Sequence, residues 1–109
     1  MADPYLKRLL WFLLVGTRGG ENRSRVLNLL KSGPFNPNQI AETLRLDYKT
    51  VQHHLKVLRQ HNLISSTENG YGSTFSLSPF LTSQIEIFDE IWGKLERGER
   101  IERPRRLHI

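Results

Sequence analysis

Two short helices with recognisable starts are predicted on either side of a three-residue turn, and few folds can accommodate this arrangement. The stretch Asn36-Pro37-Asn38-Gln39 combines a capping side chain, a proline at the first helical position and a glutamine that can complete a capping box, which predicts a helix over residues 37–44. Residues 45–47 read as a tight turn, and Asp47 as the cap of a further helix running to about residue 61. Helices joined so closely must pack over one shared core.

The hydrophobic period changes after Asn62. Strand-like runs at residues 63–67 and 73–77 flank residues 68–72, where Asn69-Gly70 is a strong hairpin signal. Upstream, Asp3-Pro4 starts a helix to about residue 15, and a second helix covers about residues 21–31. Downstream, apolar residues at 85, 88, 91, 92 and 95 predict a last helix.

This order of elements predicts a mainly α fold with a small β-hairpin, in the α+β sense. Two helices joined by a short turn and followed by a hairpin form a winged helix-turn-helix, here with extra N- and C-terminal helices. A chain of 109 residues is enough for a single domain. We expect a terminal dimerisation helix at 1–16, the core at 21–78, a second dimerisation helix at 82–97 and a basic tail at 98–109.

The helix predicted after Asp47 has two different faces. At about 100° per residue, Val51, Leu55 and Leu58 fall on one narrow stripe that should be buried. Six residues lie on the opposite side, all able to donate hydrogen bonds and none acidic: Lys49, Gln52, His53, Lys56, Arg59 and Gln60. This face is suited to phosphates and base edges.

The adjacent histidines of this helix point to different surroundings. His53 falls on the face formed by these six residues, called here the donor face. His54 lies beside the core and is expected to be packed, with a ring nitrogen bonded locally. Neighbouring helical positions cannot converge on one metal ion, which requires i, i+3 or i+4 spacing. Since the chain also has no cysteine, we expect no metal site and no cofactor.

The overall charge favours an anionic partner. Sixteen Lys and Arg against eleven Asp and Glu give a net charge of +5, which suits nucleic acid or an acidic membrane surface. The apolar run at residues 9–15 is too short to span a bilayer and lacks a cleavage site, so a cytoplasmic protein is expected. The stretch GTRGG lacks the features of a nucleotide loop and is interpreted as a flexible basic joint. Without a nucleophile–base pair or paired carboxylates, we expect no enzyme.

The segment NQIAETLRLDYKTVQHHLKVLRQHNLI resembles the helix-turn-helix of ArsR-like winged-helix transcription regulators. The resemblance covers about residues 21–78, and six residues match the pattern: Val51, His54, Leu55, Leu58, Leu63 and Ile64. The stretches GTRGGENRSRVLNLL and ENGYGSTFSLSP resemble an archaeal branch of these proteins. The family implies a homodimer that binds double-stranded DNA. The cysteine and last-helix histidine ligands of its metal sensors are missing, so metal sensing is not implied.

The terminal helices are the expected dimer interface. The first helix is apolar on nearly every face after Arg8, which suggests that a second protomer covers part of it. The predicted interface residues are Leu9, Trp11, Phe12, Leu13, Ile85, Phe88, Ile91, Trp92 and Leu95. The alternative is that the first helix simply lies over the core of its own chain.

We predict a sequence-specific, double-stranded DNA-binding transcriptional regulator with residues 48–61 in the major groove. Base contacts are assigned to Lys49, Thr50, Gln52, His53 and Lys56. Phosphate contacts are assigned to Arg18, Arg23, Arg25, Arg45, Tyr48 and Arg59. Wing contacts are assigned to Asn69, Gly70, Tyr71 and Ser73, unless the wing is a plain structural hairpin.

The transcription machinery is a further candidate partner. The alternative function is a protein-interaction or RNA-binding module without sequence-specific DNA binding. The basic tail is either a solvated end or a segment that orders on DNA or a partner.

Overall fold

The chain folds as a winged helix-turn-helix with additional helices at both ends. The structure is a computed structural model and describes residues 3–69 and 72–105. Its elements, in order, are α1 (Pro4–Trp11), a π-helical segment (Phe12–Gly16), α2 (Gly20–Leu30), α3 (Pro37–Leu44), α4 (Tyr48–Gln60), β1 (Ile64–Asn69), β2 (Gly72–Leu77), α5 (Pro79–Thr82) and α6 (Ile85–Glu96). The predicted mainly helical architecture with a hairpin is confirmed.

Side-chain caps start three of these helices where the sequence predicts them. The Asp3 carboxylate accepts a hydrogen bond from the Tyr5 backbone N–H at 2.9 Å. At α3, Asn36 and Gln39 form a reciprocal capping box with two bonds of 2.8 Å. Each cap satisfies backbone donors that a helix start leaves without partners, which explains why short helices begin at these residues.

The connection between the π-helical segment and α2 is tightly packed at Gly20. Gly19 has a φ of 88°, in the left-handed region that favours glycine. A Cβ at Gly20 would lie 2.3 Å from the carbonyl oxygen of Leu14, so only a glycine allows the two backbones to approach so closely. This contact holds α2 directly against the π-helical segment, a close packing that the interpretation of GTRGG as a flexible joint did not anticipate.

The wing is a two-stranded antiparallel hairpin. Its register runs from Ile64 opposite Leu77 to Asn69 opposite Gly72. Phe35 pairs with Phe75 through two backbone hydrogen bonds of 3.0 and 2.8 Å, which places the loop before α3 alongside β2. The expected wing residues Gly70 and Tyr71 lie outside the described residues.

A short helix precedes the last one, which begins at residue 85 instead of 82. Ser78 caps α5 by accepting from the Leu81 N–H at 3.2 Å, and its hydroxyl donates to the Asn62 carbonyl at 2.7 Å. This buried serine thereby joins the segment after α4 to the start of α5. The sequence prediction missed α5 because four residues are too few to show a periodic pattern.

The terminal helices pack on the core of their own chain. Of the residues predicted to form a dimer interface, Leu13, Phe88 and Ile91 are only 3%, 0% and 8% exposed in a single protomer. Their assignment to an interface is wrong, because they already pack inside the protomer's hydrophobic cluster. The other members remain accessible: Phe12 is 53% exposed, and Leu9, Trp11, Ile85, Trp92 and Leu95 are partly buried.

The tail returns to the first helix. The Trp11 indole N–H donates to the Ile101 carbonyl at 3.1 Å, and the Arg103 guanidinium lies 5.6 Å from the centre of the Trp11 ring. This arrangement, in which a cation faces an aromatic ring, is favourable. Residues 101–103 are thus packed against α1, which the reading of the tail as a solvated end did not anticipate.

Candidate nucleic-acid interface

The two faces of α4 are arranged as the helical period predicts. Val51, Leu55 and Leu58 are 0%, 2% and 0% exposed and pack into the core. The six donor residues on the opposite side are all exposed: Lys49, Gln52, His53, Lys56, Arg59 and Gln60. The helix therefore presents its whole polar face outward while its apolar stripe holds it in place.

The cations on this face are free of intramolecular ion pairs among the described residues. The ion pairs among the described residues all lie outside α4: they join Lys31 to Asp89, Lys94 to Glu90 and Arg97 to Glu99. Lys49, Lys56 and Arg59 are consequently available to an external anion, and a partner such as a phosphate does not have to displace an internal carboxylate.

Gln52 lies between two clefts that separate α4 from its neighbours. A cleft of about 410 Å³ is lined by Gln52, Leu55, Lys56, Arg59, Gln60 and Phe75. The other, of about 310 Å³, is lined by Asn36, Pro37, Asn38, Tyr48, Gln52, Gly72, Ser73 and Phe75. The Gln52 side chain therefore borders both clefts, and one of them extends to the start of α3 and to β2 of the wing.

Thr50 takes part in starting α4. Its backbone N–H and its hydroxyl donate to the two carboxylate oxygens of Asp47, at 2.7 and 2.9 Å. The backbone N–H first, and then the hydroxyl, hold the pKa of Asp47 below its usual value, because both bonds favour the ionised carboxylate. The Thr50 hydroxyl hydrogen is thus committed to the cap, and its oxygen remains available as an acceptor.

Arg23 is not placed to bind a phosphate. It is only 4% exposed, and its guanidinium donates to the Leu13 carbonyl at 2.8 Å, the Thr17 hydroxyl at 2.6 Å and the Arg18 carbonyl at 3.1 Å. Burial lowers the pKa of this group. The phosphate assignment of Arg23 is wrong, because its donors hold the π-helical segment and the following loop.

The remaining predicted phosphate-binding residues differ in accessibility. Arg18, Arg45, Tyr48 and Arg59 are exposed. Arg25 is partly buried and donates to the Leu44 carbonyl at 2.7 Å and to Asn22 at 3.1 Å, so it ties α2 to the end of α3. In the wing, Ser73 is partly buried and pairs across the hairpin with Glu68. Only backbone pairing is described for Asn69.

His54 is buried beside Arg23, with one nitrogen unsatisfied. It is 5% exposed, and its Nδ1 finds no hydrogen-bond partner among the described residues, contrary to the expectation of a locally bonded ring. A Cβ at Gly19 would lie 2.9 Å from His54 and 3.1 Å from Arg23, so the three residues meet at one point. Burial, and then the charges of Arg23 and His53, lower the pKa of His54.

This environment predicts a loss of stability in mild acid. The unfolded chain protonates His54 near its usual pKa of 6.5, whereas the folded chain resists protonation. The contribution of neutral His54 is therefore complete above this value and declines as the pH falls towards the lowered folded pKa. Urea unfolding from about pH 7.5 to about pH 5 measures this decline. We expect His54→Leu, which cannot titrate, to flatten it; an unchanged slope contradicts the prediction.

Gln52 and Tyr48 form a contact that the sequence interpretation missed. The Gln52 side-chain N–H donates to the Tyr48 hydroxyl at 2.6 Å. The spacing of four residues places both side chains on one side of α4, and this spacing was the signal available in the sequence.

The adjacent histidines of α4, both among the described residues, do not share a hydrogen-bonded arrangement of this kind: the rings of His53 and His54 are 5.5 Å apart and tilted by 57°. In the described part of the chain, no group of three or more His, Asp or Glu residues is placed to hold a metal ion.

Comparison with known proteins finds similarity to regulatory proteins over part of the chain. Residues 20–66 match the family described as "Bacterial regulatory protein, arsR family". The "Transcriptional repressor SdpR" of Bacillus subtilis is 34% identical over 56 residues, which are 51% of this chain and 62% of that protein. The chain thus spans less than two thirds of this curated relative. Both matches are to regulatory proteins, in agreement with the prediction that the chain is not an enzyme.

Solved structures of regulators share the fold. Reduced YodB from Bacillus subtilis is 21% identical, with a TM-score of 0.66, and the match covers 89% of this chain and 94% of that one. HlyU from Vibrio cholerae is 18% identical, with a TM-score of 0.64 over 85% of this chain and 99% of the other. A probable regulator from Pseudomonas aeruginosa is 19% identical, with a TM-score of 0.62 over 86% and 76%. At these identities the likeness establishes the fold.

Proposed function

We propose that this chain is an ArsR-like, sequence-specific regulator of transcription that binds double-stranded DNA as a homodimer, with α4 in the major groove. The observation that carries the proposal is the exposed face of α4, which bears six donor side chains and no acidic residue. An α-helix fits the major groove, where each base pair presents a distinct pattern of donors and acceptors. The match of residues 20–66 to the arsR family supports the same function.

Base reading falls to the exposed residues in the middle of α4. Gln52 is suited to adenine, because its amide can accept from the base N6 and donate to N7. Lys49, His53 and Lys56 surround it and supply donors for guanine edges or nearby phosphates. Thr50 has a smaller part in this scheme, because its hydroxyl hydrogen is used by Asp47.

Phosphate binding falls to exposed cations around this centre. Arg59 lies near the end of α4, Arg45 in the turn before it and Arg18 in the loop before α2. Such contacts hold the protein in register on DNA without reading sequence. The wing contact is the weakest part of the scheme, since the exposed Glu68 lies opposite Ser73 and would repel a phosphate.

The accessible apolar residues of α1, the π-helical segment and α6 form the proposed contact between two copies. Phe12 is half exposed, and Trp11, Trp92 and Leu95 are covered only in part. Pairing of two copies would remove this apolar surface from water and present two α4 helices to successive major grooves.

A cytoplasmic location and an archaeal origin belong to this proposal, although the relatives named above come from bacteria. None of the helices in residues 3–69 and 72–105 has the length and apolar composition needed to cross a lipid bilayer.

A salt titration with matched variants tests this proposal. We expect the logarithm of the affinity for duplex DNA to fall linearly with the logarithm of salt concentration, because phosphate contacts release counterions. Arg59→Ala should weaken binding equally for all sequences and reduce the slope by about 1, the value for a single phosphate neutralised by one cation. Gln52→Ala should keep the slope and lose about 1–3 kcal/mol of discrimination at one base pair.

Two results would contradict the proposal. A chain that binds no duplex at any salt concentration is better explained as a protein-interaction module, and a preference for RNA over DNA in competition indicates the RNA-binding alternative. The number of chains per duplex, measured by sedimentation of the complex, should be two; a single chain per duplex contradicts the homodimer.

A further inference from the structure

The hydrogen bond between Gln52 and Tyr48 joins two exposed residues on the face that the proposed function directs at DNA. Tyr48 is the first residue of α4, and Gln52 follows one helical turn later. The Gln52 Nε2 donates to the Tyr48 hydroxyl oxygen at 2.6 Å. Tyr48 is 47% exposed, and both side chains line the cleft between α4, the start of α3 and β2. The bond therefore lies at the surface a duplex would meet.

The orientation of a glutamine amide decides which base it can read. A free amide can turn over and exchange its donor and its acceptor, so that it fits opposite patterns of base atoms. Adenine requires the carbonyl oxygen to meet N6 and the amide N–H to meet N7. The Gln52 nitrogen carries two hydrogens, so the one given to Tyr48 leaves the other, together with the carbonyl oxygen, for such a base.

We propose that Tyr48 is a positioning residue that holds the Gln52 amide in one orientation, so that the pair selects adenine at one position of each half-site. This inference rests on the proposed function and deepens it, since it assigns the base preference to two residues instead of one. The Tyr48 hydroxyl accepts from Gln52, and its own hydrogen remains free to donate to a phosphate. Because a hydroxyl can also donate to an amide oxygen, the amide keeps this orientation when the Tyr48 hydrogen is given to another acceptor. A phosphate contact by Tyr48 therefore supports the positioning role, since a hydroxyl that donates to a phosphate can only accept from Gln52. The two effects have different readouts: the phosphate contact changes the affinity for all duplexes, and the positioning role changes discrimination between base pairs.

The phosphate contact and the positioning of the Gln52 amide can be separated with duplexes that bind the wild-type protein. The wild-type chain is used to enrich binding sites from a pool of random-sequence duplexes. Each A·T pair of the enriched duplex is then replaced by G·C, and the affinity of each replacement is measured. The position at which Gln52→Ala loses discrimination, by about 5- to 100-fold, is the pair read by Gln52.

Tyr48→Phe removes only the hydroxyl group and is the decisive variant. We expect it to lose about two- to tenfold of discrimination at that same pair, as for one hydrogen bond. In the Gln52→Ala background the same change should have no further effect on discrimination, because Tyr48 acts through the amide. Tyr5→Phe is the matched control: it removes a hydroxyl from another exposed tyrosine, on α1, and should leave the base preference unchanged.

Each other result overturns a defined part of the proposal. If Tyr48→Phe weakens all duplexes equally and leaves discrimination unchanged, Tyr48 is a phosphate contact and has no positioning role. A loss of discrimination that persists in the Gln52→Ala background shows that Tyr48 acts independently of Gln52. If wild-type protein enriches no sequence, sequence-specific recognition itself fails, and the positioning role fails with it.

Discussion

Replacing Gly20 with alanine is expected to lower the free energy of unfolding by about 3 kcal/mol, in the upper range for forcing extra volume into a packed site. The added Cβ would lie 2.3 Å from the carbonyl oxygen and 2.5 Å from the carbonyl carbon of Leu14. Both atoms belong to backbone, so no side chain can turn away to relieve the clash. The π-helical segment and α2 would have to separate.

Gly93→Ala is the matched control, because it makes the same change inside another helix. The nearest atom to its added Cβ is a guanidinium nitrogen of Arg97 at 3.0 Å, at the end of an exposed, flexible side chain. Alanine favours the helix by about 0.5–1 kcal/mol over glycine, so this variant should be slightly more stable than the wild type. Thermal unfolding at equal protein concentration should place the midpoint of Gly20→Ala about 10 °C or more below that of the wild type. Equal midpoints for the two variants contradict the close approach at Leu14.

Replacing Arg23 with alanine is expected to destabilise the fold by about 3 kcal/mol, because its buried hydrogen bonds lose a charged donor. The Leu13 carbonyl would lose the bond of 2.8 Å, and the Thr17 hydroxyl the bond of 2.6 Å. Arg23→Lys should also lose stability, because an ammonium group cannot reproduce the planar fork of donors that reaches three acceptors. Urea unfolding of both variants measures the effect.

Arg18→Ala is the matched control for this prediction, since Arg18 is an exposed arginine of the same segment. It should leave stability within about 0.5 kcal/mol of the wild type, as most surface substitutions do. In DNA-binding titrations it should reduce the salt slope, whereas Arg23→Lys, compared where both proteins remain folded, should not. If Arg23→Lys is as stable as the wild type and weakens binding to all duplexes, Arg23 is a phosphate contact after all.

Arg23 also connects parts of the molecule that the proposal assigns to different tasks. Its guanidinium holds Leu13 in the π-helical segment, and it lies beside His54 of α4 around Gly19. The terminal helix, which carries proposed dimer residues, and α4, which carries proposed base contacts, therefore share one packed junction. A loss of Arg23 should disturb both.

Local signals predicted most of the helix starts and the orientation of α4. The caps at Asp3, Asn36 and Asp47 act within three residues of their own helices, so the sequence contains both partners of each bond. The helical period similarly separates Val51, Leu55 and Leu58 from the donor face without any knowledge of the remaining chain. The hairpin followed from strand-like runs around Asn69-Gly70 for the same reason.

The errors concern residues whose partners are distant in the chain or whose surroundings depend on packing. The sequence predicts a phosphate contact for Arg23 because a basic cluster gives no sign of which of its members are buried. The sequence predicts a dimer interface for Leu13, Phe88 and Ile91, which are buried in the protomer, because an apolar stripe has the same pattern whether it packs on its own chain or on another. The dimer itself, and every base or phosphate contact, stays a prediction.

The starts of α3 and α4 and the division of α4 into an apolar side and a donor side can be predicted without coordinates, because they depend on neighbours at most a few residues away. Three features become visible only in the packed chain: Arg23 supports the loop instead of facing solvent, Gly20 must be a glycine, and Phe88 belongs to the core. Burial and close backbone contact depend on which elements meet in space, and this is not a local property of the chain.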